Sequence, residues 1–287
     1  LTDDERVSLH SIAAARRHPV VAGVIAGLIV AILVNAHRQA DLGRATLYLI
    51  VLAVSVGLVD VVLARWPRRE RPVAVRGPGL ELSVLAVCLG MGILWLYSRF
   101  VRGYRPTPGP LRLLWLAVLV GCVFNALPAI FLLVRRYRPS DLGFKFAGLQ
   151  AAPIIVAVFA LSATLLSPAA TTWRAILDES GGSTWAVVET ALLAAVPEEF
   201  FRFIWQTRVG AWLQRPATGW LVASVAWSVL HGPKNWDETH SFAATVMGMI
   251  NIIPLGLLWG YLTHRTRNML PSVVLHATNV WGLQNLA

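Results

Sequence analysis

The chain has 287 residues, 56% of them hydrophobic and only 14% charged, and carries a formal net charge of +10; its mean hydropathy is +0.61. A soluble domain carries about 25% charged residues in short amphipathic stripes, so a soluble enzyme, a disordered chain and a collagen-like chain are excluded. With only two cysteines, Cys88 and Cys122, both inside apolar blocks, a disulfide-stapled secreted scaffold is excluded as well.

The apolar residues come in long blocks. No charge interrupts the 22 residues between Arg112 and Arg135, the 28 between Lys145 and Arg174, or the 23 from Ser241 to Thr263. About 20 apolar residues at 1.5 Å each cross a hydrocarbon core. The fold class expected is therefore all-α, a polytopic helical transmembrane bundle of about 8-9 spans. In chain order, nine apolar segments are predicted at 19–36, 45–64, 82–98, 113–134, 148–170, 183–205, 216–231, 241–263 and 269–286. The first run is long and lacks a small-residue cleavage pattern, so no cleavable signal peptide is expected.

Cations sort onto alternate sides of these segments. Sixteen Arg and Lys fall in the terminal and loop segments on the amino-terminal side and eight on the other, with Arg202 inside a span. The positive-inside rule then predicts a cytoplasmic amino terminus, and a bacterial cytoplasmic (inner) membrane is the expected location. One loop dissents, since Arg99, Arg102, Arg105 and Arg112 face the opposite side. The positive charge is thus assigned to membrane orientation rather than to a nucleic-acid partner. No internal repeat is evident.

Ionisable groups within spans are costly and point to function by default. The first half holds only Asp60 and, at a border, Glu81, whereas the second half holds Glu189, Glu198, Glu199, Arg202, His231, His264 and His276, with polar Asn251 and Asn279. In Pro197-Glu198-Glu199-Phe200-Phe201-Arg202 the arginine lies four residues from one carboxylate and three from the other, so on a helix it reaches either. One carboxylate held by Arg202 beside a desolvated general base is one reading, and a structural ion pair between helices is the other.

His231, in Trp227-Ser-Val-Leu-His231-Gly-Pro, follows an uncharged run of only 15 residues and precedes helix-ending Gly232-Pro233. An interfacial cap and a catalytic imidazole both fit it. His276 and Asn279 are three apart on one helical face, fit for hydrogen bonding between helices or for holding an oxyanion. Carboxylate plus imidazole is what water activation needs, and neutral donors are what a tetrahedral intermediate needs. No acid–base–nucleophile set accompanies Ser228 or Ser272, and there is no His-Glu-x-x-His. Glu198, His231 and His276 as three metal ligands rank below the metal-free reading.

As an ordered set these motifs resemble the CPBP family (CAAX protease and bacteriocin-processing, or Abi), intramembrane glutamic endopeptidases with the pattern Glu-Glu-x-x-x-Arg, Phe-x-x-x-His and His-x-x-x-Asn. The matching residues are Glu198-Glu199 with Arg202, Trp227 with His231, and His276 with Asn279. Arg138-Pro-Ser-Asp-Leu-Gly143 resembles the family's entry segment, and Gly256-Leu-Leu-Trp-Gly260-Tyr-Leu-Thr-His-Arg-Thr-Arg-Asn268 resembles its glycine-rich span and the turn before the last histidine. The sequence departs from the pattern in three places. Two residues rather than three separate the glutamates from Arg202, Trp227 replaces Phe, and Asn279 follows His276 by three.

The resemblance implies two parts: residues 1–137, amino-terminal spans of unassigned role, and 138–287, a CPBP-like protease core. It implies catalytic roles for Glu198 and His231 in activating water, with Glu199 as the alternative base, Arg202 orienting the carboxylates, and His276 and Asn279 on the oxyanion. The expected partners are the lipid bilayer and a membrane-associated peptide or protein; prenylated tails, leader peptides and membrane-anchored sorting signals are the family's substrates. No organic cofactor is expected. The rival readings are a non-catalytic immunity or scaffold relative, favoured by the contracted first motif, and a proton-coupled transporter, which no inverted repeat supports.

Overall fold

The computed structural model describes residues 15–65, 73, 75–100, 125–145 and 194–278. Among them are nine α-helices: α1 (Pro19–Arg38), α2 (Leu42–Arg65), α3 (Pro78–Phe100), α4 (Leu127–Val134), α5 (Val196–Trp212), α6 (Pro216–Val229), α7 (Gly232–Thr239), α8 (Phe242–Thr266) and α9 (Leu270–Thr278). A 3₁₀ turn, Pro139–Leu142, follows α4. Proline opens most of these helices, at Pro19, Pro78, Pro128, Pro197, Pro216, Pro233 and Pro271. In the first turn its missing N–H has no intrahelical partner to lose. The α8 start is capped differently, by the Ser241 hydroxyl accepting from the Ala244 amide.

The chain is all-helical among the described residues, as expected, but the count of eight to nine spans is only partly represented. Three helices there are long and apolar enough to cross a membrane, Pro19–Arg38, Leu42–Ala64 and Phe242–Thr266, with Pro78–Leu94 a shorter apolar helix. The segment 148–170, and most of 113–134, lie outside the described residues. Two boundaries shift. The segment expected to end at 205 continues as α5 to Trp212, and α7 is an additional short polar helix directly after His231. Large apolar side chains on α1 and α3 stand open, Val20 at 77% and Leu94 at 70% exposure. Such surfaces are expected against lipid rather than water.

Close packing joins the carboxyl-terminal helices. A Cβ on Gly219 would sit 2.4 Å from the Gln206 carbonyl oxygen and 2.5 Å from the Gly210 amide nitrogen, so α5 and α6 meet backbone to backbone only because the residue is glycine. Tyr48, Val51, Trp227, Leu258, Trp259, Leu262 and Leu275 share one core between α2, α6, α8 and α9. Leu132, Phe200, Phe203, Ile204 and Met269 form a second, on the other face of α5.

Buried ion pairs tie one end of the bundle together. Glu81, fully buried, accepts from Tyr137 Oη at 2.7 Å and Arg208 Nε at 3.1 Å, and lies 3.5 Å from Arg135 Nε. Asp60 of α2 accepts from Tyr261 and Arg265 near the end of α8. The Arg76 amide donates to Tyr137 Oη at 2.6 Å, the Met269 amide to the Gly143 carbonyl at 3.0 Å, and Asn268 Nδ2 to the Lys145 carbonyl at 2.6 Å. The loops after α2, α4 and α8 therefore share one end, and these are loops that the charge count assigns to one side. Arg208, counted there as a loop cation, is instead sealed inside the bundle because Glu81 compensates it.

Candidate active site

The site forms where the start of α5, the end of α6, the middle of α8 and the end of α9 converge. Glu199 lies nine residues, about 14 Å, along α5 from Arg208, so the site sits within the bundle rather than at its cation-rich end.

The two adjacent glutamates occupy opposite environments. Glu199 is fully buried; its Oε1 accepts from Arg202 Nη1, and His276 Nδ1 lies 2.9 Å from the same oxygen. Arg202 is 1% exposed, and its other nitrogens have no hydrogen-bond partner among the described residues. Aromatic faces take their place: the guanidinium carbon lies 4.6 Å from the Trp227 ring centroid and 5.1 Å from that of Trp259. Cation–π attraction is strongest where water is excluded. Glu198 points elsewhere. Its side chain keeps 25% exposure, its Oε2 accepts from the Trp227 indole N–H, and His276 Nε2 lies 3.8 Å away.

Helical spacing lets Arg202 reach either glutamate, and tertiary packing decides between them: His276 joins Arg202 on Glu199, and the Trp227 indole from α6 takes Glu198. Arg202 thus orients one member of the pair rather than both.

His276 lies between the carboxylates and stacks on Trp259, with ring centroids 3.9 Å apart and planes 15° apart. A carboxylate only accepts, so Nδ1 carries a hydrogen toward Glu199 and Nε2 faces Glu198. Ser272 fixes the α8–α9 contact beneath, donating to the Trp259 carbonyl at 2.8 Å. His231 stands just past the end of α6. Its Nδ1 is 3.1 Å from the Trp227 carbonyl, so that nitrogen is the donor and Nε2 keeps the lone pair. The ring meets Trp227 edge-on at 4.7 Å.

Of the six site residues expected from sequence, Glu198, Glu199, Arg202 and His276 come together directly, and His231 joins them through Trp227. Asn279 and Glu189 lie outside the described residues. His264 sits away from the site near the end of α8, its Nδ1 3.4 Å from Arg267 Nη1. Among the described residues no group of three His, Cys, Asp or Glu side chains is placed to share a metal ion, and the Glu198–His231–His276 set is not such a group. Sequence reasoning missed the parts played by Trp227 and Trp259. Trp227 was visible only as a replacement for Phe and Trp259 only as a large residue between two glycines, and neither signal speaks of hydrogen bonding or stacking.

Residues 180–282 match the family model described as Type II CAAX prenyl endopeptidase Rce1-like. That segment contains α5 to α9 and every residue of the site, and it agrees with the CPBP resemblance of the motifs. No curated protein and no solved structure matches the chain.

Proposed function

We propose that this membrane protein is an intramembrane endopeptidase of the glutamic type, hydrolysing a peptide bond of a membrane-associated protein or peptide with water activated by Glu198 and His231. The match to a protease family supports the reaction class. The observation that carries the assignment of roles is the contrast between the two glutamates. One is sealed and neutralised by Arg202, and the other is reachable and lies beside the His276 imidazole. Paired groups in opposed environments are how one site holds both a fixed charge and a working base.

In this mechanism Glu198 takes a proton from water as its oxygen attacks the scissile carbonyl carbon, and the lone pair on His231 Nε2 shares that proton. The carbonyl becomes a tetrahedral oxyanion. His276, protonated on both nitrogens, keeps one N–H on Glu199 and turns Nε2–H toward the oxyanion; Asn279 supplies a second donor on the strength of the family resemblance. Collapse expels the amine, which takes its proton from Glu198 or His231. The contracted first motif, which would favour a silent relative, leaves a carboxylate–arginine–imidazole unit on Glu199 and a separate, reachable carboxylate on Glu198. Residues 138–287 form the proposed protease core, with the amino terminus on the cytoplasmic side.

Cleavage of membrane-anchored reporter peptides by purified protein, with Glu198→Gln, Glu199→Gln and His231→Ala alongside, tests this reading. Loss of cleavage in Glu198→Gln and His231→Ala is expected. Undiminished cleavage by all three would refute the mechanism.

A further inference from the structure

Among the described site residues, Trp227 touches Glu198, Arg202, His231 and His276. Its indole N–H donates to Glu198 Oε2, its backbone carbonyl lies 3.1 Å from His231 Nδ1, its ring faces the Arg202 guanidinium at 4.6 Å, and its edge meets His276 at 6.3 Å. The first two contacts matter most. Arg202 is committed to Glu199, so the indole is the neutral donor that fixes the Glu198 carboxylate. The Trp227 carbonyl, in the last turn of α6, accepts the Leu230 amide at 3.2 Å and keeps a second lone pair that fixes the His231 tautomer.

Packing alone does not require this pairing. Trp205 and Trp259 bury their indole nitrogens without a hydrogen-bond partner among the described residues. The ring is held in place from behind by α8, where a Cβ on Gly256 would lie 2.8 Å from Trp227 Cε3. Glycine at 256 is thus the space that lets the indole reach Glu198.

Resting on the function proposed above, we infer that Trp227 is a positioning residue that aligns both water-activating groups, Glu198 through its indole N–H and His231 through its carbonyl. A phenylalanine of similar shape keeps the carbonyl and the ring but loses the donor. A hydrogen bond to a charged group is worth about 1.5–3 kcal/mol, which corresponds to roughly ten- to hundredfold in rate.

Kinetics of Trp227→Phe and Gly256→Ala in detergent test it, with Trp220→Phe as control, since that change removes an indole bond to the Leu257 carbonyl remote from the site. Both test variants are expected to lose about ten- to hundredfold in kcat with KM unchanged. Trp220→Phe is expected to lower thermal stability alone. Independently of activity, ¹⁵N-indole NMR reads the contact. The indole proton that disappears in Trp227→Phe shifts upfield in Glu198→Gln and stays in place in Glu81→Gln. A Trp227→Phe kcat within twofold of wild type, or an indole proton indifferent to Glu198→Gln, would overturn the inference. If Trp227→Phe does not fold, Gly256→Ala and the Glu198→Gln shift decide. A wild type that cleaves nothing refutes the proposed function, while the NMR shift still decides whether Trp227 holds Glu198.

Discussion

Helix α5 carries two buried arginines, Arg202 and Arg208, each paired with a fully buried glutamate, and the two clusters serve opposite purposes. Around Arg208, Glu81 accepts from Tyr137 and Arg208 on its two oxygens and has Arg135 3.5 Å from one of them, so two separate stretches of the chain converge on it. Among the described residues no histidine joins it. Around Arg202, Glu199 is held through one oxygen, which Arg202 shares with an imidazole, and a second, reachable carboxylate lies one residue away. A saturated carboxylate is a lock between helices. A carboxylate that orients an imidazole beside an open neighbour is the framework of a reaction site.

Glutamine, close to glutamate in shape but without its charge, separates the two clusters. The largest effect is expected from Glu198→Gln, which should lower cleavage by about 10²–10⁴-fold, the usual contribution of a general base, with the melting temperature in detergent unchanged. Next is Glu81→Gln. Leaving Arg208 buried and uncompensated costs on the order of 3–5 kcal/mol, read by chemical denaturation in micelles, while cleavage per folded molecule is retained. Glu199→Gln falls between the two kinds. It should slow cleavage by about ten- to hundredfold through a misoriented His276, and it should also lower stability, since Arg202 loses its anion. The smallest effect tests the turn that joins the clusters. Gly143 has φ +88°, and a Cβ there would meet Phe203 and Met269 within 3.2 Å, so Gly143→Ala should cost roughly 1–2 kcal/mol in the same denaturation experiment, with little change in cleavage per folded molecule.

Sequence made one cluster visible and hid the other. Glu198, Glu199, Arg202, His231 and His276 stand out because charge within an apolar run is conspicuous and because helical spacing brings Arg202 to the glutamates. Glu81 and Arg208 are 127 residues apart, and each lies near the edge of its apolar segment, so each reads alone as an interfacial charge. No local period links them; only the packing of α3 on α5 does. The same holds for Asp60, whose partners Tyr261 and Arg265 are about two hundred residues away. The three-residue spacing to Arg202 was legible, but its consequence was not. That it commits the arginine to one glutamate and leaves the other to an indole from α6 follows from tertiary structure. The polar sequence of α7, Gly-Pro-Lys-Asn-Trp-Asp-Glu-Thr, gives no apolar stripe by which to recognise a helix, and it forms one against α8 nonetheless.

The most direct measurement sets Glu198→Gln against Glu81→Gln in one preparation, recording cleavage rate per folded molecule and denaturation midpoint for each. The expected result is a crossed pattern: Glu198→Gln inactive and as stable as wild type, Glu81→Gln active and destabilised. Cleavage retained in Glu198→Gln, or lost equally in both variants, would contradict the division of α5 into a lock and a reaction site.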